Sequence, residues 1–486
     1  MVLNQAQKWM FSRHRRRRVI AAFVVVFCSV TLTTTSLSAK PYHSKQAQNI
    51  LDRWTKRAKL KGLKLGVSMK GLDGKLQAKN QANEQYNPAS GTKLLTTAAA
   101  LITWKLDKRF TTRVHGQIND HRTNENGLCI VGAGDPKLLS DDLESIADRL
   151  QDKGLKHVDG PILIDTSIFK GKNLPPAYAQ KSTTSGYRSS TGALGVDYGA
   201  ITLAIKSVTK SQKPTVTLDS ARGYAVLENL ALHQKGKKNE LTYTLKPLPD
   251  GRMKVTIEGK LGRRHPKFTH RLRMLDPNLG AAHIFRKLLT NRNVTVKGPI
   301  KIVGKEACSF PRLVEHQGPP LRVLLKDLNT YSNNFMAETV FRHLGKRWKE
   351  SQIAVSKSLE NLGLKAESFK VINGSGLYKA TTITPDSMVH LLASIASRKG
   401  LSKSFKDTLA VSGRPGTLKR RLRGRMRGLV QGKTGTLNEV VSLSGYLTSR
   451  HSGVLAFAIF INDATPDRTA SIRREIDRLL RSWSRL

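Results

Sequence analysis

Apolar and polar positions follow different rhythms along this chain, and each rhythm predicts a different element. Ile50, Leu51, Trp54 and Ala58 recur at helical spacing among charged residues, which predicts an amphipathic helix over 43–60. Leu65, Val67 and Met69 then alternate, and Leu72-Asp73-Gly74 supplies a turn, so 63–79 reads as a hairpin. Leu94 to Leu106 is apolar on nearly every side, the pattern of a buried central helix. From about 112 to 310, short strand-like runs (160–165, 201–206, 252–257) are separated by Gly, Pro, Asp and Asn clusters. This predicts a β-rich region with one helix near 280–290. Long helical patterns return after 320. Near the end, 440–448 and 453–461 form two β-runs joined by Ser449 to Ser452. Ile472, Ile476, Leu479, Leu480 and Trp483 then make one apolar stripe of a final helix. The result is α/β segments flanking a β-rich insert, with no internal repeat.

Composition narrows the class. At 486 residues the chain is too long for one ordinary domain, and 39% hydrophobic residues exclude wholesale disorder. Three cysteines exclude a disulfide scaffold, and whether Cys129 and Cys308 pair is left open. The N-terminus carries a basic block (Arg13, Arg15 to Arg18), an apolar run from Val19 to Cys28, and small residues at Ser36, Ser38 and Ala39. This reads as a signal peptide over 1–39, with an uncleaved anchor as the alternative, and places the protein in the periplasm or cell envelope. The net charge is +48; six basic and no acidic residues lie in the leader, so 48 less 6 leaves +42 on the exported chain. Such a balance calls for an anionic partner.

Three short segments carry the candidate chemistry. Ser90-Gly91-Thr92-Lys93 opens the buried helix, where a serine and a lysine three apart share one face and the helix start favours developing negative charge. Alone this spacing is weak, since it also occurs at Ser167 and Ser207, in or beside expected strands. Tyr331-Ser332-Asn333-Asn334 precedes an apolar helix and offers a hydroxyl and an amide two residues apart, although Ser332 or Asn333 could simply cap that helix. Lys433-Thr434-Gly435-Thr436 opens the first strand of the terminal hairpin, and its glycine suits close approach of a substrate backbone. Together and in this order the three match the S-x-x-K, S-x-N and K-T-G set of penicillin-binding enzymes.

With these motifs the chain resembles the serine D-alanyl-D-alanine carboxypeptidase/endopeptidases of the penicillin-binding protein 4 type, peptidase family S13, from about residue 45 onward. The long stretch between Ser90 and Ser332 fits this type, which places inserted domains there. Gly132-Ala133-Gly134-Asp135-Pro136, Asp276-Pro277, Gly374-Ser375-Gly376-Leu377 and Gly416-Thr417-Leu418 also look like the family's own, whereas Asn373 and Tyr378 stand where Asp and Ser are common. The resemblance implies an α/β (α+β) penicillin-binding/β-lactamase-like transpeptidase fold, with an antiparallel sheet flanked by helices. Residues 40–111 and 311–486 would form the catalytic domain, and 112–310 a β-rich insert of two nested domains. It also implies an acyl-enzyme mechanism. Ser90 is the nucleophile and Lys93 its base, neutral through burial and the nearby Lys433. Ser332 relays the proton and Asn334 holds the substrate amide. Lys433 and Thr434 bind the terminal carboxylate, beside Gly435. The N–H groups of Ser90 and Thr436 form an oxyanion hole, commonly worth about 3 kcal/mol per donor.

Peptidoglycan peptides are the expected substrates and β-lactams the expected inhibitors. No cofactor is expected, and His14, His43, His115 and His121 lack metal-ligand spacing. The rivals are a β-lactamase, for which no glutamate-bearing loop follows Ser332, and a basic non-catalytic envelope-polymer binder. Nucleic acid is not an expected partner: aromatic residues are only 6% and the basic residues are dispersed. Anionic envelope polymers or a membrane surface fit the charge better. Its densest stretch runs from Arg414 to Arg427, where Leu418, Leu422 and Met426 fall four apart. That spacing predicts a cationic helix with one narrow apolar stripe, close to the mouth of the site.

Overall fold

The computed structural model describes residues 41–208, 211–379 and 381–486; the expected leader over 1–39 lies outside them. Helix α1 spans Pro41–Thr55, shorter than the 43–60 expected, and is followed by a separate 3-10 turn, Ala58–Leu60. Strands β1 (Lys64–Gly71) and β2 (Gln77–Asn80) form the expected hairpin. The buried helix is α2 (Thr92–Thr103). In the C-terminal third, α3 (Asn334–His343), α4 (Pro385–Ser397), β3 (Ala410–Val411), β4 (Val430–Leu437), β5 (Val440–Thr448), β6 (Val454–Asn462) and α5 (Thr469–Trp483) position the chemistry.

One antiparallel six-stranded sheet organises this half, in the order β2-β1-β6-β5-β4-β3. Its central strands β5 and β6 are buried at nearly every position because helices cover both faces. Leu455, Phe457, Ile459 and Ile461 of β6 pack into the core shared with α1 and α5. Ala456, Ala458 and Phe460, the alternate positions, pack toward α2 and α4. Helices α1 and α5 lie antiparallel: Trp54 Nε1 donates to the Glu475 carbonyl at 2.8 Å, and Trp483 Nε1 to that of Ala47 at 3.4 Å.

Between 111 and 317 a seven-stranded mixed sheet and smaller sheets share a second apolar core, running from Val114 to Val314. The expected strands are present at Ile162–Asp165, Ala200–Lys206 and Met253–Glu258. Two helices pack here, not one. Pro277–Thr290 begins under an Asp276 side chain that accepts from the Asn278 and Leu279 N–H groups. Ser140–Asp152 was missed because its buried Leu143, Ile146, Ala147 and Leu150 form a thin stripe among charges, in a region otherwise read as strands.

The basic segment from Arg414 to Arg427 is also corrected. It runs through turns and bends, with one 3-10 turn at Gly424–Met426. Leu422 and Gly424 have φ of 50° and 63°, and Gly416 of 123°, which no α-helix accommodates. Leu418, Leu422 and Met426 are nevertheless buried in the α1–α5 core. The apolar spacing is real, but it anchors an irregular segment at three points.

Cys129, in the strand Arg122–Val131, is disulfide-bonded to Cys308, 179 residues away, with a Cα–Cα distance of 5.6 Å. A crosslink closing so long a loop restricts the unfolded chain, and its loss typically costs about 2–5 kcal/mol. Thermal melts with and without reductant should therefore show a lower midpoint in the reduced protein, and Cys129→Ala/Cys308→Ala should reproduce it without reductant. Equal midpoints in all three would show that the crosslink does not contribute to stability.

Candidate active site

A 3-10 turn, Ala89–Gly91, feeds directly into α2 and presents Ser90 at the helix start, with Ala89 held at φ 47°. Lys93 follows three residues later and is wholly buried. Its Nζ lies 3.0 Å from Ser90 Oγ, 2.7 Å from Asn334 Oδ1 and 2.9 Å from the Ser375 carbonyl.

Asn333, not Ser332, caps α3: its side chain accepts from the Met336 N–H at 3.0 Å. Ser332 is left outside the helix in the left-handed region, φ 60°, a costly conformation for a residue with a β-carbon. Its Oγ accepts from Lys433 Nζ at 2.8 Å. Lys433 lies midway along β4, not at a strand start, and its buried Nζ also donates to the Thr434 carbonyl at 2.7 Å. Two glycines let the parts meet. A β-carbon on Gly435 would collide with Ser442 Oγ and the Pro88 carbonyl, and one on Gly376 (φ 74°) with the Ala89 carbonyl. The two carbonyls belong to the start of the turn that carries Ser90.

Ser90, Ser332, Asn334 and Thr436 line one cleft of about 540 Å³, walled by Tyr187, Leu377 and Tyr378. The three sequence motifs therefore converge in space. Thr434 is half-buried on the same strand, and exposed Thr436 accepts a 2.9 Å hydrogen bond from Arg473. Beyond Ser332, Asn334 and Tyr187 a second hollow of about 850 Å³ continues past Lys137, Tyr198 and Arg271. Ser167 and Ser207 take no part: the Ser167 N–H donates to Asp165, and Ser207 Oγ donates to the Gly262 carbonyl.

Burial governs the proton affinities. Desolvation lowers Lys93 from an ordinary lysine to about 7, while the Glu338 carboxylate pulls it back upward. Lys433 is pushed well below the lysine range by burial and then by the charge of Lys93.

Glu338 is the residue that sequence reasoning missed. It is fully buried, one helical turn after Asn334, and accepts from the Gly374 and Ser375 N–H groups at 3.0 and 2.8 Å. Ser375 thereby gives its N–H to Glu338 and its carbonyl to Lys93. An acid inside the apolar run 335–344 was the available signal. Tyr178, whose hydroxyl meets Ser375 Oγ at 3.0 Å and Glu338 Oε1 at 3.3 Å, carried none. Nor did Tyr187, whose carbonyl receives Asn334 Nδ2 at 3.0 Å. Asn373 exploits its amide: Nδ2 donates to the Pro176 and Leu377 carbonyls and Oδ1 accepts from Gly376 N–H. A carboxylate could not donate to those two carbonyls.

Residues 46–483 match the model of the D-Ala-D-Ala carboxypeptidase 3 (S13) family. The D-alanyl-D-alanine carboxypeptidase of Actinomadura sp. (strain R39) is 30% identical over 401 residues, covering 78% of this chain and 74% of the relative. Penicillin binding protein 4 of Haemophilus influenzae superposes with a TM-score of 0.77 at 21% identity, over 90% of this chain and all of that one. The same protein complexed with a novel β-lactam gives a TM-score of 0.72 over the same coverage. Matched over nine-tenths of its length, the chain belongs to the D-Ala-D-Ala carboxypeptidase 3 (S13) family of serine peptidases.

Proposed function

We propose that this enzyme removes the terminal D-alanine from peptidoglycan stem peptides, or cleaves D-alanine cross-links, through an acyl-enzyme on Ser90. The observation that carries the roles is the contact between Ser90 Oγ and Lys93 Nζ, a buried amine with a proton affinity near neutrality. As a neutral base Lys93 takes the Ser90 proton while Oγ attacks the carbonyl of the penultimate D-alanine. The N–H groups of Ser90 and Thr436 receive the developing oxyanion. Lys433 holds Ser332, which passes a proton to the departing D-alanine nitrogen. Asn334, steadied through Tyr187, receives the substrate amide. Lys433 and Thr434 supply the field for the terminal carboxylate, with Gly435 keeping the strand close. Water then releases the acyl group. The hollow beyond Ser332 gives room for the rest of a stem peptide.

The separate apolar cores support a catalytic domain of 40–111 plus 311–486 around an insert of 112–310. The leader supports export to the periplasm or cell envelope. A β-lactamase reading has less support, because Glu338 is tied up beneath the Ser375 loop and Glu439, which lines the cleft, is paired with Lys379.

Labelled penicillin should acylate the protein once, at Ser90, and give no adduct with Ser90→Ala; intact mass and peptide mapping read this directly. An adduct on Ser167 or Ser207 would refute the assignment. The kcat/KM for a D-Ala-D-Ala peptide should rise with pH through a midpoint near 7, as Lys93 loses its proton. Glu338→Gln removes a charge that favours the ammonium, so this limb should move to lower pH. Movement upward, or none, would separate Glu338 from Lys93. Lys433→Ala should lower kcat/KM by about a hundredfold, the scale of losing one oriented donor, with an unchanged circular dichroism spectrum. Full activity in that folded variant would mean the carboxylate is read elsewhere.

A further inference from the structure

A substrate carboxylate entering the cleft meets few cations that are both charged and free. Lys93 and Lys433 are wholly buried, and burial lowers the proton affinity of both. Each Nζ is already spent on a serine hydroxyl and a backbone carbonyl. Lys379, on the cleft wall, is paired with Glu439, and that pairing, helped by the charge of Lys181, holds the Glu439 carboxyl below its usual range. Arg473 is different. It sits half-buried on α5, and its Nη2 donates to Thr436 Oγ1 at 2.9 Å. Among the described residues this is the one hydrogen bond its guanidinium makes, and no carboxylate lies within ion-pairing distance of it. Asp477, one turn along the same helix, is held by Arg421 at 2.6 Å instead. A guanidinium keeps its charge even when partly buried.

The strand brings that guanidinium to the substrate. β3 pairs with β4 at Gln431 and Gly432 alone, so from Lys433 to Leu437 the edge of β4 is free to receive a peptide. Side chains alternate along this edge. Gly435 faces the Ser90 turn, where a β-carbon would meet Pro88 and Ala89, so Thr434 and Thr436 face the other way. Their cross-strand partners, Leu443 and Val441, pack in the core shared with α5. Two hydroxyls therefore line one face of the open edge, and Arg473 reaches the second of them from α5. Thr436 Oγ1 gives its own hydrogen to the Gly435 carbonyl at 2.8 Å while it accepts from the guanidinium. With that hydrogen committed, Thr436 has none to offer a carboxylate. Thr434 Oγ1 has no hydrogen-bond partner among the described residues. The donors left for a carboxylate on this face are the Thr434 hydroxyl and the unspent N–H groups of Arg473.

We infer that Arg473 reads the C-terminal carboxylate of the substrate, beside Thr434, through a charge-assisted contact formed as the residue to be released settles on the free edge of β4. Lys433 then serves chiefly to hold Ser332 and adds only its field. A peptide whose C-terminus is capped as an amide cannot make the contact, so Arg473 sets a preference for the free acid. This assignment rests on the peptidase reading of the site.

The test uses two peptides that differ only at the C-terminus, one ending in D-Ala-D-Ala as the free acid and the other in D-Ala-D-alaninamide. Wild type, Arg473→Gln and Arg473→Lys are compared on both. Wild type should favour the acid in kcat/KM. Arg473→Gln should lower kcat/KM for the acid by about ten- to a hundredfold, the scale of one hydrogen bond to a charged group, and leave the amide unchanged. Arg473→Lys keeps the charge but not the fork, and should fall between the two. The wild-type preference for the acid should hold as pH rises through the Lys93 limb, because arginine keeps its proton; a preference that fades there would assign the carboxylate to a lysine. Should Arg473→Gln fail to fold by circular dichroism, Arg473→Lys carries the comparison, with a loss of several-fold on the acid alone. Equal losses on acid and amide would show that Arg473 only shapes the strand, and would overturn the inference. Cleavage of neither peptide by wild type would overturn the peptidase reading itself, whereas cleavage with an unchanged acid-to-amide ratio in Arg473→Gln would overturn the role of Arg473 alone.

Discussion

Two lysines share one dry pocket, and much of the surrounding architecture follows from keeping them there. A buried ammonium is expensive, and two close enough to feel each other's charge cannot both stay fully charged. Lys93 and Lys433 are each wholly buried, and each spends its Nζ on a serine hydroxyl and a backbone carbonyl. The cost is met partly by lowered proton affinity and partly by Glu338, whose carboxylate is itself made tolerable by two backbone N–H groups. Loss of a proton makes Lys93 a base instead of a counter-ion. The feature that strains the fold is the one that suits the chemistry.

That pocket needs three chain segments to approach within hydrogen-bonding distance, and the backbone is shaped to allow it. Ala89 and Ser332 adopt left-handed φ values on either side of the cleft, and Gly376 and Gly435 remove the β-carbons that would hold the walls apart. The two-sided burial of β5 and β6 then fixes the platform, so that one strand, β4, can present Lys433 inward while Thr436 stays exposed.

The motif residues were legible because their chemistry demands particular residue types at particular places: a serine at a helix start, a lysine one turn on, a glycine where strand and turn touch. Glu338 was half legible, as an acid in an apolar helix, but its role depends on the Gly374–Ser375 loop, which no local pattern connects to it. Tyr178 and Tyr187 arrive from the insert, and nothing near them in the chain marks a long-range contact. The segment 414–427 misled for a different reason. Spacing of four serves any backbone that returns to the same core, and here Pro415-Gly416 and Gly424 were breaker signals that outweighed it. The helix Ser140–Asp152 was obscured because a thin apolar stripe among charges carries little weight beside the strands around it.

The pairing of β1 with β6 joins Lys64 to Asn462 and Gly71 to Leu455, almost four hundred residues apart. Helix α1 contacts β2 locally but also packs on α5, at the far end of the chain. Neither element can bury its apolar face until the C-terminal strands exist, whereas the core between Val114 and Val314 is complete within the middle of the chain. Contacts of such long range close slowly and late. A chain synthesised or threaded from its N-terminus therefore cannot assemble Ser90, Ser332 and Lys433 piecemeal. The reactive serine stays without Lys433 and its platform until the final strands arrive, so that topology itself delays the onset of peptidase chemistry during biogenesis.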